Sequence, residues 1–250
     1  MRFLPTALAW MTVLPVPRRL QPAVDRPGAG RVIFFVPVAG AVVGAIVTGI
    51  AWASAAAGLP WVLIGALAIA GAALVTRGMH VDGFADCVDG LGSYGPPDRA
   101  REIMRQGSVG PFGAAALALV VLIDAAAIGD LADRAQWIAI GVAIGAARVA
   151  AVIGCRRGWC AANPDGFGAL TAGTQGGAAQ AFWMFVAAIA AIWAVPDVPW
   201  QGPLAVVAAM LAAALAMRHC VRRFGGVSGD VLGFGIELAT AVALVGLCVR

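Results

Sequence analysis

Asp82, Asp86 and Asp89 stand at the end of a hydrophobic segment, in the run Gly78-Met79-His80-Val81-Asp82-Gly83-Phe84-Ala85-Asp86-Cys87-Val88-Asp89-Gly90. On a helix turning about 100° per residue, Asp86 lies about 40° from Asp82, and Asp89 about 20° from it on the other side. The three carboxylates therefore share one narrow arc. Like charges so placed repel, and the arrangement is unfavourable unless a cation sits among them. Hard oxygen ligands of this kind suit Mg²⁺ or Mn²⁺, and Mg²⁺ typically takes one or two carboxylates plus phosphate oxygens of a substrate. The alternative is a solvated acidic helix end, which is disfavoured because charge near a bilayer is expensive and tends to be functional. His80 precedes Asp82 by two residues, about 200° round a helix, so it is expected in the turn leading into that helix, beside the site. There it could act as a general base, a donor to substrate, or a structural donor to a backbone carbonyl.

A second constellation is Gly225-Gly226-Val227-Ser228-Gly229-Asp230-Val231-Leu232-Gly233-Phe234-Gly235-Ile236-Glu237. A glycine-rich turn opens onto a hydrophobic helix whose free N–H groups can receive an anion. Ser228 or Asp230 could equally be an ordinary N-cap. Glu237 follows Asp230 by seven residues, hence lies about 20° away on the same face and about two turns deeper. A carboxylate at that depth is expected to be a ligand or part of a polar network. Arg148, in the inner half of a span, could clamp a phosphate, pair with Glu237 or an Asp, or snorkel to the interface. Asp124 is read as reaching water near the outer end of its span, without a functional role. Asn163-Pro164-Asp165-Gly166-Phe167-Gly168 is a turn by its chemistry and could touch substrate. Acids, a glycine-rich helix start and arginines at one surface suit phosphoryl or nucleotidyl transfer. In that chemistry a metal bridges a diphosphate, and catalysis is mostly positioning and charge neutralisation.

The elements that must hold these groups are membrane helices. Hydrophobic residues make up 61% of the 250 and charged residues only 12%, with mean hydropathy +0.89, where a soluble domain carries about 25% charge. Runs of about 20 apolar residues are what a bilayer-spanning helix needs. Seven are read: roughly 33–54, 61–79, 110–129, 135–154, 181–196, 201–219 and 231–249, the fifth being short. The expected fold is thus an all-α, polytopic membrane bundle forming one domain over 1–250, with no soluble appendage. Small residues at Gly40-x-x-x-Gly44 and Gly141-x-x-x-Gly145 read as close helix packing. No internal repeat is evident.

All the basic residues are arginines, and there is no lysine. A GC-rich genome accounts for most of them, but their placement is informative. Arg2, Arg18, Arg19, Arg26 and Arg31 precede the first span; Arg77, Arg99, Arg101 and Arg105 follow the second; Arg156 and Arg157 follow the fourth; Arg218, Arg222 and Arg223 follow the sixth. A cytoplasmic N-terminus puts every one of these groups inside, as the positive-inside rule asks, and the acids with them. Cys87, Cys155, Cys160, Cys220 and Cys248 show neither a C-x-x-C pair nor zinc spacing and receive no function. Pro5 and Pro15 interrupt the N-terminal apolar stretch and no A-x-A site follows, so a cleaved signal peptide is not expected.

The chain resembles the cobalamin synthase (adenosylcobinamide-GDP ribazoletransferase) family nearly end to end. The resemblance is carried by Leu14-Pro15-Val16-Pro17, Phe35-Val36-Pro37-x-x-Gly40-x-x-x-Gly44 and His80-x-Asp82-Gly83-x-x-Asp86-x-x-Asp89-Gly90. It continues through Glu102-Ile103-Met104-Arg105, Gly110-Pro111-Phe112-Gly113 and Gly225-Gly226-x-Ser228-Gly229-Asp230-x-Leu232-Gly233. It departs at Gln106-Gly107, where the family usually has Asp-Ser, and at Ser228, where it usually has Thr. What the resemblance implies is a reaction of adenosylcobinamide-GDP with α-ribazole, or its 5′-phosphate, to give adenosylcobalamin, or its 5′-phosphate, plus GMP. Asp82, Asp86 and Asp89 would hold Mg²⁺ on the diphosphate, with His80 beside them as a further catalytic residue. Arg105, Ser228, Gly229 and Asp230, which lie in these motifs, would contact substrate, and Arg148 and Glu237 join them as candidates from their own placement in the spans. The implied setting is the bacterial inner membrane. Membrane lipid is a partner and nucleic acid is not, and a homo-oligomer or a complex with other corrinoid enzymes is compatible with it. Two rivals are weighed against this. CDP-alcohol phosphotransferases carry D-x-x-D-G-x-x-A-R, but the order of Asp82-Gly83 and Asp86 differs and no Ala-Arg follows. A cation-coupled transporter would want acids near the midplane of several spans, whereas most acids here lie at the inner edge.

Overall fold

The computed structural model describes residues 3–250, so Arg2 lies outside the described residues. About 75% of the chain is helical and no strand is formed among the described residues. A short helix α1 (Leu4–Met11) leads to α2 (Arg26–Ala56), whose N-terminus is capped by the Asp25 carboxylate accepting from the Gly28 N–H at 2.8 Å. Then come α3 (Trp61–Thr76), α4 (Met79–Gly92), α5 (Pro97–Arg105), α6 (Pro111–Asp133), α7 (Trp137–Ala147) and α8 (Val149–Gly154). A one-and-a-half-turn α9 (Gly166–Thr171) precedes α10 (Gly177–Ala191), α11 (Gln201–Phe224) and α12 (Gly229–Cys248).

Five segments are long and apolar enough to cross a membrane: α2, α6, α7 with α8, α11 and α12, or six if the bent pair α3–α4 is one broken span. The fifth expected span corresponds to α10, which starts earlier than 181–196, ends at Ala191 and has only 15 residues. The 61–79 expectation also needs correction. α3 stops at Thr76 because Arg77 and Gly78 both take left-handed backbone, φ 56° and 67°, and α4 leaves at 93°. Glycine adopts that conformation freely, while an arginine there is disfavoured by about 1–2 kcal/mol. The bend is therefore held by the packing of α4 rather than by local preference.

Helices α2, α3, α6, α7–α8, α10, α11 and α12 run alternately up and down. The contacts at their ends show this. At one end Arg101 donates to the Phe224 carbonyl at 2.6 Å, Arg223 donates to that of Gly95, and Arg26 donates to those of Ala169 and Ala172. At the other end Gln201 Nε2 donates to the Val249 carbonyl at 2.8 Å, and Asp130 meets Arg134 and Arg250. Most arginines thus cluster at the end that carries α4, several of them stapling loops.

Packing is close where glycines meet. A Cβ at Gly40 would stand 2.6 Å from the Gly145 carbonyl oxygen, and one at Gly44 would collide with that of Gly141. The two small-residue stripes, each read as a site of close packing, therefore face each other across α2 and α7. α12 is the central helix, in contact with α4, α6, α7, α8 and α11.

Candidate active site

The acidic helix α4 lies across the start of α12, and glycine on each side permits the approach. A Cβ at Gly83 would come within 2.8 Å of Asp230 Cα, and one at Gly233 within 3.3 Å of His80 Cα. Phe84 stacks on Phe234 with centroids 5.4 Å apart, fixing the rotation of one helix against the other. This docking brings Asp82 and Asp86 beside Asp230. Ser228 is the N-cap of α12: its Oγ accepts from the Val231 N–H at 3.3 Å and donates to Asp230 Oδ2 at 3.1 Å. The N-cap alternative for Ser228 is therefore realised, with Gly229 as the first helical residue.

A cavity of about 410 Å³ opens over these groups, lined by Trp10, Arg77, His80, Asp82, Phe167 and Asp230 among others. Asp82 is exposed and Asp86 half-buried. Burial, and after it the negative charges of Asp82, Asp230 and Asp89, push the Asp86 carboxyl up to about 7. The charges that raise Asp86 are those of three neighbouring carboxylates, Asp82, Asp230 and Asp89. No three His, Cys, Asp or Glu side chains among the described residues stand close enough to enclose an ion as placed. Hard carboxylate oxygens crowded together nonetheless fit a divalent cation chemically.

Asp89 has a different first task. Its Oδ2 accepts from the Gly110 N–H at 2.7 Å and its Oδ1 from the Gly113 N–H at 2.8 Å, so a side chain on α4 caps the N-terminus of α6. The carboxylate meets two free helix donors and the positive end of the helix dipole together. Gly110 and Gly113 lack side chains for the same reason, since a Cβ at Gly110 would stand 2.6 Å from Asp89 Oδ1. The Gly110-Pro111-Phe112-Gly113 motif is thus the receptor of Asp89.

His80 is placed differently from expectation. α4 already begins at Met79, so His80 is inside the helix, 4% exposed, and turned away from the acid arc. Arg148 Nη2 lies 3.4 Å from its Nδ1. Because a guanidinium only donates, Nδ1 accepts and the ring proton sits on Nε2. Burial first, and then Arg148, hold the imidazole well below its ordinary pKa, so it is neutral.

Arg148 does not reach the acid cluster. It stands at the break between α7 and α8, where its own N–H turns to the Gly145 carbonyl at 3.3 Å. The Ile144 carbonyl so released accepts from Arg148 Nη1 at 2.7 Å. Glu237 and Arg148 line a second cavity, with Asp124, His80 and Thr240. The shared helix face of Asp230 and Glu237 therefore serves two cavities rather than one. Asp124 is 1% exposed and its Oδ1 is without a partner, which overturns the reading that it reaches water. An acid in the middle of an apolar span was signal enough to find it.

Arg105 is exposed at the end of α5, lining a small crevice with Asn163, Ser228 and Asp230. Arg105, Ser228, Gly229 and Asp230 are thus brought to the acid cluster, while Arg148 and Glu237 are not. Gln106 ends α5 exposed, and Gly107 takes φ 67° with nothing near its missing Cβ, an open turn. Sequence reasoning missed Trp10 and Arg77 as lining residues, while Phe167 belongs to the segment read as a possible substrate contact. Trp10 packs edge-on to Phe167 at 5.3 Å, a contact between segments far apart in the chain.

Comparison with known proteins agrees with this picture. The family model described as Cobalamin-5-phosphate synthase matches residues 4–248. A protein of Corynebacterium efficiens named adenosylcobinamide-GDP ribazoletransferase is 35% identical over 246 residues, covering 96% of this chain and 88% of the relative. Proteins of the same name from Frankia casuarinae and Escherichia coli O17:K52:H18 are 37% and 33% identical, each across 96% of this chain and covering 92% and 96% of their own lengths. No solved structure matches. The chain belongs to the Cobalamin-5-phosphate synthase family.

Proposed function

We propose that the chain joins adenosylcobinamide-GDP to α-ribazole, or to its 5′-phosphate, releasing GMP and giving adenosylcobalamin or its 5′-phosphate. The observation that carries this is the family match across residues 4–248, which contains every residue of the acid cluster. It sets aside the lipid-directed transferase and the transporter. In the reaction a ribose hydroxyl oxygen of ribazole forms a bond to the cobinamide-side phosphorus. The bond from that phosphorus to the GMP oxygen breaks, and the hydroxyl proton is released.

Asp82, Asp86 and Asp230 are the residues that would hold Mg²⁺, with Asp89 anchored beside them. When bound, such an ion would supply positive charge to offset the negative charge building on the departing GMP. Arg105 and the start of α12 supply donors to phosphate oxygens. Trp10 and Phe167 give the cavity an aromatic side. The arginine-rich end of the bundle supports a cytoplasmic placement for the site and the N-terminus, in a bacterial inner membrane.

The test is GMP release by purified protein in detergent, given both substrates. EDTA should stop it and Mg²⁺ restore it, whereas release that EDTA leaves untouched removes the metal from the mechanism. A reporter fused after Arg250 should read as external, and a cytoplasmic reading would overturn the orientation.

A further inference from the structure

The cavity that holds Asp124, Arg148 and Glu237 has a volume of about 790 Å³, and nothing in the transfer chemistry above uses it. Its walls are apolar residues of α3 and α6, among them Ile69, Ala73, Leu117 and Val121. The helices cross tightly at Gly65, whose missing Cβ would collide with the Ala125 carbonyl. Three buried polar atoms of its lining residues have no hydrogen-bond partner: His80 Nε2, Arg148 Nε and Asp124 Oδ1. A buried polar group without a partner costs about 1–3 kcal/mol, so three around one cavity call for a ligand that answers them. Two of the three are donors, since the His80 proton is on Nε2 and a guanidinium nitrogen can only donate. His80 also lines the acid cavity, so one side chain forms a wall common to both.

We infer that this cavity is the subsite for the aromatic base of the ribazole substrate. The flat dimethylbenzimidazole ring lies between the apolar walls of α3 and α6. Its bare ring nitrogen, an acceptor, receives a hydrogen bond from His80 Nε2 or Arg148 Nε. The ribose then passes His80 toward Asp82 and Asp230, where the hydroxyl must meet the diphosphate. A lipid acyl chain would suit the walls equally well but would offer none of the three polar atoms a partner, where the ring nitrogen offers one of the two donors an acceptor. The inference rests on the proposed ribazole transfer.

The experiment follows α-ribazole binding to the detergent-purified protein by the fluorescence of its ring, together with KM for each substrate. Val121→Trp fills the cavity from the α6 wall. Ribazole binding should weaken by about tenfold or more, with KM for adenosylcobinamide-GDP held within about twofold. Val121→Ala enlarges the same wall and should raise the preference for a riboside with a bulkier base. That variant decides the matter if the Trp protein does not fold. Unchanged ribazole binding in both variants, as a lipid-filled cavity predicts, overturns the subsite, and so does an equal loss for both substrates. If wild-type protein itself binds no ribazole and releases no GMP, the functional reading has failed. If wild-type turns over and the Val121 variants behave alike, only the subsite has.

Discussion

Removing the Asp89 carboxylate separates a helix cap from a metal ligand, two roles that the motif alone leaves indistinguishable. In Asp89→Ala the Gly110 and Gly113 N–H groups lose their acceptors at 2.7 and 2.8 Å, in a place where little water can replace them. Hydrogen bonds to a charged group contribute about 1.5–3 kcal/mol each, and the helix dipole adds up to about 2 kcal/mol where the charge is partly buried. Allowing for overlap between these effects, the loss is about 3–5 kcal/mol. For a chain of this length that lowers the thermal midpoint by on the order of 10 °C. Asp89→Asn keeps one acceptor but turns an amide NH₂ toward a backbone donor, so about half of the loss remains. Asp82→Asn is the control: Asp82 is exposed and feels Asp86 as a like charge. Its replacement should leave the midpoint unchanged or slightly raised while turnover disappears. The assay pairs thermal unfolding in detergent with GMP release per unit of folded protein. A wild-type midpoint in Asp89→Ala, combined with complete loss of turnover, would refute the capping argument and move Asp89 into the chemistry.

Further expectations are narrower. With its carboxyl raised to about 7, Asp86 is protonated below that pH and must lose the proton to bind a cation. Apparent Mg²⁺ affinity should therefore fall as pH drops through 7, by about tenfold between pH 8 and pH 6; a flat titration of activity against Mg²⁺ over that range excludes Asp86 as a ligand. Glu237→Leu should abolish ribazole turnover while Glu237→Gln is impaired, and full GMP release by the Leu protein would remove Glu237 from the working parts. Gly83→Ala drives a methyl to 2.8 Å from Asp230 Cα, so α4 must lift off α12. Its turnover should fall by at least about tenfold with a smaller change in midpoint, since a displacement of about 1 Å near the chemistry is worth more in rate than in packing; wild-type turnover would show that the two helices tolerate separation.

The acid arc of α4 was legible because helical periodicity is a property of nearest neighbours along the chain. Ser228 as a possible cap and close packing at the two glycine stripes were legible from local pattern too, though not that the stripes of α2 and α7 face each other. What could not be read was which neighbour each residue of the arc would meet. Asp89 shares the arc with Asp82, yet it points at α6, and that depends on how α4 leaves α3. The pair Arg77 and Gly78 sets that direction through left-handed backbone, which only Gly78 advertises. His80 was misplaced because α4 begins at Met79, ahead of His80 rather than after it. Glu237 and Asp230 share a helix face, but α4 crosses that face between them, and a crossing helix leaves no trace in the spacing of the two acids.

The shortness of α3 has a consequence for the lipid around the protein. Sixteen helical residues reach about 24 Å, against a hydrocarbon core of about 30 Å. The bilayer must thin beside α3, or α3 must sit deep and draw the Arg77 bend below the headgroups. Each ångström of such mismatch carries a fraction of a kcal/mol. The helix that bears it is joined to α4 by only two residues, so the strain is delivered to the element that carries Asp82 and Asp86. Acyl-chain length is therefore expected to act on the placement of Asp82 and Asp86 through a mechanical lever. The same protein moved between vesicles of short and long lipids should change its turnover while its substrates, metal and sequence stay the same.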